Sequence, residues 1–408
     1  MESAALPKLL SAVLATHREL ARLLVAGAPP RRSAPGGPMP LLLFSQVPWD
    51  SVWQRPQELA LGLSRRRPVV FFGPVQWHEA ALRVGAAREP VRRLEDGRLL
   101  VLSPVEFSGT YKVGAVAALN NLLRARLLSR VLPGRDFIYL TNSLFDWELA
   151  RALRPRHLAL DLIDDFAGFA WAPRGARRSE RLLARRADLV VAGTGTLARR
   201  WRQRGFDVDY LPSGVHAERF AGSFTEPGDL RAAPRPRLLY VGTLNDRLDA
   251  SLLLRAAEAN RSGSVVAVGP RHGSFALPGP APKNLLFLGL KPHSDLPAYY
   301  AHCDAGIMPF ADTPAARAIN PVKALEYLAA GLPVLSTPIP DVVAEYPPHA
   351  TIAAAPDWPA ALAELLARRE PETVREARRA FARGRSWGAM VDAFEERIGR
   401  LEAAEARA

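Results

Sequence analysis

The sequence predicts an α/β protein built from two successive doubly wound halves and closed by a C-terminal helix. Three observations carry this expectation. From Leu41 onward, short apolar runs alternate with amphipathic segments, the repeat of parallel strands joined by crossover helices. The alternation lapses once, over residues 218–237, where Gly, Pro and mixed charge replace the periodicity, and then restarts. Residues 387–406 finally read as one helix with Val391, Phe394 and Ile398 on a shared face. The predicted organisation is an N-terminal helix and linker (1–40), a first Rossmann-like domain (41–217), a second (218–385) and the last helix (386–408).

The N-terminal segment carries Leu6, Leu9, Leu10, Val13, Leu14, Leu20, Leu23 and Leu24 at helical spacing, with Lys8, Arg18, Glu19 and Arg22 opposite. It lacks the charged start and long apolar core of a signal peptide. Packing on the body of the protein and peripheral contact with an anionic membrane are the two readings of such a helix. In the first domain, strands are expected within LLLFSQV, VVFFGPV, RLLVLSPV, DFIYLTN, HLALDLIDDF, DLVVAG and DVDYLPSG. Helices are expected over residues 57–66, 115–128, 180–186 and 197–204. In the second domain the strands are RLLYVG, SVVAVGP, NLLFLG, residues 305–308 and residues 334–337. The helices there are residues 250–260, 296–302 and 321–330, the last with Asn320 as N-cap and Pro321 at its first position.

Composition narrows the function classes. The formal charge is +13, yet only five residues are Lys and the Arg are scattered through every segment, so a nucleic-acid-binding face is not expected. Cys303 is the one cysteine, which excludes an internal disulfide and fits a reducing cytoplasm. It precedes an apolar strand and reads as a buried structural thiol. The eight His are dispersed without metal-ligand spacing, so no metal cofactor is expected. No apolar run reaches the length of a membrane span.

Residues 304–340 carry the chemistry. A buried strand, a polar loop and a capped helix place Lys323 and Glu326, three apart, near the open end of that helix. A cation and a carboxylate there suit an anion joined to a hydroxylated ring. Gly242 and Thr243 end the first strand of the second half, where a Gly lets backbone N–H groups approach a phosphate, and Arg247 follows as a guanidinium clamp. Two other motifs are weaker. Gly193-x-Gly195-x-x-Ala198 is a loose dinucleotide fingerprint, but it falls late in its half and lacks the following acidic residue. Asp207-Val208-Asp209 lies in strand alternation that turns both carboxylates to one side.

Taken in order, LYVGTLNDRLD, VVAVGP, NLLFLGLKPHSDLPAYYAHCDAGIMPF and NPVKALEYLAAGLPVLSTPIP resemble GT-B glycosyltransferases of the family 4 (group 1) type, in the branch with an NPxKxxEYLAxGxPV core. LPSGVHAERF resembles the junction motif of that family, with His216 where Asp is usual. VPWDSVWQRPQELALGL and LALDLIDDFAGF resemble pieces of its first half. The resemblance implies two facing Rossmann-like domains and transfer of a sugar from a nucleotide-diphosphate sugar, UDP- or GDP-linked. The acceptor implied is a polysaccharide, glycolipid or lipid-linked carbohydrate, and the chemistry is retaining and metal-independent.

Residue by residue, the resemblance gives Glu326 the ribose hydroxyls. It gives Lys323 and Arg247 the diphosphate, as the catalytic charges, with backbone N–H groups of Ala318, Ile319 and Asn320 beside them. Arg55, Asp164 and Asp165 are the expected acceptor-side residues. The family's second carboxylate is missing, because Ala318 occupies its position, and no Lys follows Arg247, which runs into Leu248-Asp249-Ala250. A catalytically silent nucleotide-sugar binder and a nucleotide-sugar epimerase of the same fold are the alternatives. The expected location is the cytoplasm, with association to the cytoplasmic face of a membrane as an extension.

Overall fold

The computed structural model describes residues 13–18, 20, 22, 37–76, 89–110, 112–132, 134–143, 146–168, 172 and 174–406. Most of the predicted N-terminal helix and its linker lies outside these residues. Its described part is helical, and Val13, His17 and Leu20 are buried. At these positions the helix packs into protein.

Chain contacts divide the protein into two compact units. The first comprises residues up to Ala192, Arg200–Leu211 and Val391–Ala408, and the second comprises Gly193–Arg199 and Pro212–Met390. Neither unit is one continuous stretch, a feature invisible to a reading that cuts the chain once between two halves.

Unit 1 begins with β1 (Leu41–Phe44), α1 (Arg55–Ser64), β2 (Val69–Phe72) and β3 (Val75–Gln76). After β4 (Val91–Leu94), β5 (Leu99–Leu102) and β6 (Val105–Glu106) come α2 (Gly114–Leu128), β7 (Ile138–Thr141) and α3 (Trp147–Leu153). Then follow β8 (His157–Leu162), α4 (Ala176–Arg186), β9 (Leu189–Ala192), α5 (Gly195–Arg202), whose residues up to Arg199 belong to unit 2, and β10 (Asp209–Tyr210). Eight strands form one sheet in the order β10-β9-β8-β7-β1-β2-β5-β4, and β3 pairs with β6. All pairs of the large sheet are parallel except β4–β5, a hairpin at the edge. Strands β1, β2, β5, β7 and β8 are buried along their whole length, as expected of strands covered on both faces.

Unit 2 contains β11 (Arg237–Val241), α6 (Ala250–Ala259), β12 (Ser264–Val268), β13 (Leu285–Gly289) and α7 (Leu296–Ala301). It continues through β14 (Ala305–Met308), α8 (Val322–Ala329), β15 (Val334–Ser336), α9 (Pro340–Glu345) and β16 (Thr351–Ile352). Helices α10 (Trp358–Ala367), α11 (Glu372–Arg383) and α12 (Trp387–Ala406) end the chain, α12 passing into unit 1 at Val391. Six parallel strands are ordered β13-β12-β11-β14-β15-β16. Two apolar clusters cover the sheet, one built on Leu239, Val241, Tyr300, Tyr327 and Val342, the other on Leu238, Leu252, Leu253, Ile307 and Trp358.

The alternation from β1 to β15 follows the predicted pattern apart from the additional short strands β3, β4 and β6, with most strands one to four residues shorter than their apolar runs. Helices α3, α9, α10 and α11 were not expected: α3 and α9 have only seven and six residues, too few to show a period. The start of α8 is shifted by one residue. Pro321 is the N-cap, in extended conformation, and no side chain caps the helix. Asn320 instead donates its amide to Glu345 at 3.2 Å and accepts from the Tyr346 hydroxyl at 3.2 Å, holding the loop to α9.

Candidate functional site

In unit 2 the strand order reverses between β11 and β14. Their crossovers leave in opposite directions there, the kind of switch point at which open α/β sheets bind ligands past the carboxyl ends of the strands. The loops after those two strands are bonded to each other. Ala311 N–H donates to the Arg247 carbonyl at 2.8 Å, and Asp249 N–H donates to the Pro309 carbonyl at 2.9 Å. Arg247 is thus held half-buried beside the loop that leads into α8. Asn245 fixes the approach by accepting from Arg247 N–H at 3.1 Å. Asp249, where the family pattern places a Lys nearby, caps α6 by accepting from Ser251 N–H at 3.0 Å. Gly242 has φ of +151°, a conformation open to glycine, and its N–H donates to the Val268 carbonyl at 2.9 Å. Thr243 follows, and its carbonyl accepts from the Tyr240 hydroxyl at 3.1 Å.

Helix α8 is pinned to β11 by one side chain. The Tyr327 hydroxyl donates to the Leu239 carbonyl at 3.0 Å and accepts from Val241 N–H at 3.0 Å. Gly306 on β14 makes room for this ring, because a methyl group there would collide with it. Glu326, next in sequence, is 5% exposed. Its carboxylate takes Lys323 Nζ at 2.7 and 2.8 Å and accepts the Tyr300 hydroxyl from α7. Burial, then the charge of Glu326, pushes the Tyr300 hydroxyl well above its ordinary pKa, so it remains a donor. Lys323 is a quarter exposed and stands at the rim. The arrangement is a carboxylate fixed from below by a neutral donor and flanked above by a cation, with a guanidinium-bearing loop at the adjacent strand end. It can accept ring hydroxyls and neutralise an anion.

The structure places Ala318 and Ile319 in a short turn before α8, both buried. Their amides make long bonds to Ala315 and Ala316, at 3.4 and 3.5 Å. In unit 1, Arg55 is 5% exposed and fully committed within the protein. It grips Asp161 at 2.9–3.1 Å and donates to the Leu211 carbonyl at 2.9 Å. Asp165 pairs with Arg200 at 3.1 Å, and Asp164 lies half-buried after β8. Arg55, expected on the acceptor side, instead ties the start of α1 to β8 through Asp161.

The weaker motifs acquire structural roles. Asp341 on α9 accepts from Gly195 N–H at 2.6 Å, Thr196 N–H at 2.9 Å and Thr196 Oγ1 at 2.6 Å. A carboxylate therefore already fills the α5 N-terminus where a dinucleotide phosphate would sit. Asp209 pairs with Arg397 at 2.6 Å. His216 Nδ1 lies 3.2 Å from Glu218. Burial pushes the Cys303 thiol up to about 12, which leaves it unreactive. Among the described residues no group of three or more His, Cys, Asp or Glu is placed to hold a metal ion, and no helix is long and apolar enough to cross a membrane. Sequence reasoning missed Tyr300, whose signal was present as the YY pair before Cys303. Nor does any local pattern disclose Asp146 of unit 1, a carboxylate 1% exposed that accepts from the Tyr139 and Thr141 hydroxyls.

The family model described as Glycosyl transferases group 1 matches residues 235–369. A protein named for teichuronic acid biosynthesis, the glycosyltransferase TuaH of Bacillus subtilis (strain 168), is 28% identical over 197 residues, 45% of this chain and 48% of that protein. The chain thus matches about half the length of this relative. Sucrose-phosphate synthase from Thermosynechococcus elongatus superposes with a TM-score of 0.68 at 16% identity, covering 90% of this chain and 100% of the other. Anabaena HepE, solved in complex with UDP and glucose, superposes with a TM-score of 0.64 at 15% identity, covering 89% and 100%. The chain therefore has the GT-B type of α/β fold, and over residues 235–369 it matches the Glycosyl transferases group 1 family.

Proposed function

We propose that this protein is a glycosyltransferase that moves a sugar from a UDP- or GDP-sugar to a carbohydrate acceptor. One observation carries the reading: Lys323, Glu326 and Tyr300 converge beside the Arg247 loop at the switch point of the unit 2 sheet. Glu326 accepts the two ribose hydroxyls, each charge-assisted bond contributing about 1.5–3 kcal/mol. Lys323 swings from Glu326 toward the diphosphate and, with Arg247, stabilises the charge that develops on the leaving group. Unit 2 holds the donor and unit 1 the acceptor. The match to TuaH supports a cell-envelope polysaccharide, glycolipid or lipid-linked acceptor. Retention of configuration, independence from metal and a cytoplasmic site of action complete the reading, all on the family resemblance.

The test is a transfer assay over a panel of nucleotide sugars, with Lys323→Ala beside the wild type. The variant is expected to turn over roughly 10²–10³-fold more slowly, as the loss of one charge-stabilising donor costs. Turnover near the wild-type rate overturns the role of Lys323. A second reading, a silent nucleotide-sugar binder, is favoured by Ala318, which is fully buried where the family has a carboxylate. Tight donor binding without transfer to any acceptor selects it.

A further inference from the structure

Unit 1 contains a cleft of about 770 Å³ that none of the residues discussed so far lines, apart from Asp146. It lies past the carboxyl end of β7, between the start of α2 and α4. Asp146 lines it and is 1% exposed. One carboxylate oxygen, Oδ2, accepts from Tyr139 and from Thr141 Oγ1 at 3.1 Å. The other, Oδ1, is buried without a hydrogen-bond partner among the described residues. A second lining residue, Ser179, likewise has a buried hydroxyl without a partner. Native proteins seldom leave such groups without a partner, because each costs about 1–3 kcal/mol, and two on residues that line one cleft mark places where a ligand's hydroxyls complete the bonding.

The charges of the cleft add a second constraint. Lys112, Arg174 and Arg178 are exposed on its wall, and none has a carboxylate partner among the described residues. The remaining ionised walls are neutralised locally, Arg124 by Glu106 at 2.5 Å and Glu148 by Arg151 at 2.8 Å. Trp147, half-buried and next to Asp146 in sequence, also lines the cleft. An aromatic side chain with a buried carboxylate suits a sugar, and three uncompensated cations suit an anion on that sugar.

We infer that this cleft binds an acidic sugar, with Asp146 and Ser179 taking its hydroxyls and Lys112, Arg174 and Arg178 taking its carboxylate or phosphate. The assignment deepens the glycosyltransferase reading by naming the acceptor class, and it rests on that reading only for the word acceptor. Binding in the absence of any nucleotide tests it separately. Ligand-observed NMR titration of the full chain would compare methyl β-D-glucuronide, glucose 6-phosphate and methyl β-D-glucoside. At least one acidic sugar should bind tenfold or more tightly than the neutral glucoside, and which of the two does so tells carboxylate from phosphate. The exposed double variant Arg174→Glu/Arg178→Glu should abolish that preference with unchanged thermal unfolding. Asp146→Asn should weaken binding of the acidic sugar severalfold, and Lys323→Ala should leave it unchanged. Equal binding of neutral and acidic sugars, no binding of either acid, or an unaffected double variant overturns the inference. UDP- and GDP-sugar affinity at unit 2 reports on the glycosyltransferase reading independently.

Discussion

Tyr300 donates its hydroxyl to the carboxylate of Glu326, joining α7 to α8 beneath the candidate donor pocket. A buried carboxylate that must accept ribose hydroxyls needs such a fixed partner, since otherwise its orientation is left to a flexible side chain. Tyr300→Phe should therefore keep the fold and weaken nucleotide affinity by roughly three- to tenfold, the loss of one charge-assisted bond that positions rather than touches the ligand. Calorimetry reads the affinity, and near-UV circular dichroism checks that the core is intact.

Tyr327 holds the other side of the same helix. Removing its hydroxyl in Tyr327→Phe leaves the Leu239 carbonyl and Val241 N–H without that partner inside the core. A loss of roughly 1–3 kcal/mol in unfolding free energy is expected by urea denaturation. An unchanged midpoint would show that α8 does not depend on this anchor.

Arg55 tests the boundary between site and scaffold. With Arg55 and Asp161 at 5% and 2% exposure, Arg55→Ala strands a buried carboxylate and should cost about 3–5 kcal/mol of stability. The paired replacement Arg55→Met/Asp161→Leu should recover much of that loss. Unit 2 nucleotide affinity should stay at the wild-type value in every variant that folds.

Asp146 links the unit 1 cleft to pH. Burial, only partly offset by bonds from Tyr139 and Thr141 and by the charge of Arg124, raises its pKa to about 6. The folded state thus favours the protonated acid. Its contribution to stability is complete below the unfolded value near 4 and is lost as pH rises through about 6. Relative to wild type, Asp146→Asn should gain stability between pH 4 and 6, on the order of 1–3 kcal/mol, and hold that gain at higher pH. A stability difference that is flat across this range would contradict the assignment.

Much of the architecture was legible in the chain itself. Continuous apolar runs such as LLLF, VVFF and RLLYV form strands buried along their whole length, whereas the pause at residues 218–237 lies inside unit 2, which takes up the chain at Pro212. The pairing of Lys323 with Glu326 followed from helical spacing alone. The parts that were not legible depend on long-range packing. Arg55 and Asp161 are 106 residues apart, and Asp341 caps a helix that begins 146 residues before it. Periodicity also cannot say that the carboxylate of Asp146 is entombed, because it is buried against Tyr139 and Thr141 of β7, whose hydroxyls bond to it. The short helices α3 and α9 carry too few residues for an apolar face to repeat.

The central claim is that Glu326 holds the ribose of a nucleotide-diphosphate sugar. Calorimetric titration of UDP and GDP, each beside its 2′-deoxy analogue, against wild type and Glu326→Ala tests it as a double-mutant cycle. For the nucleotide that binds, the 2′-deoxy analogue should bind wild type roughly tenfold more weakly, as the loss of a charge-assisted bond predicts. Glu326→Ala should bind both forms equally, at or below the wild type's affinity for the deoxy analogue. Equal affinity of both forms for wild type, or full ribose discrimination retained in Glu326→Ala, would contradict the account.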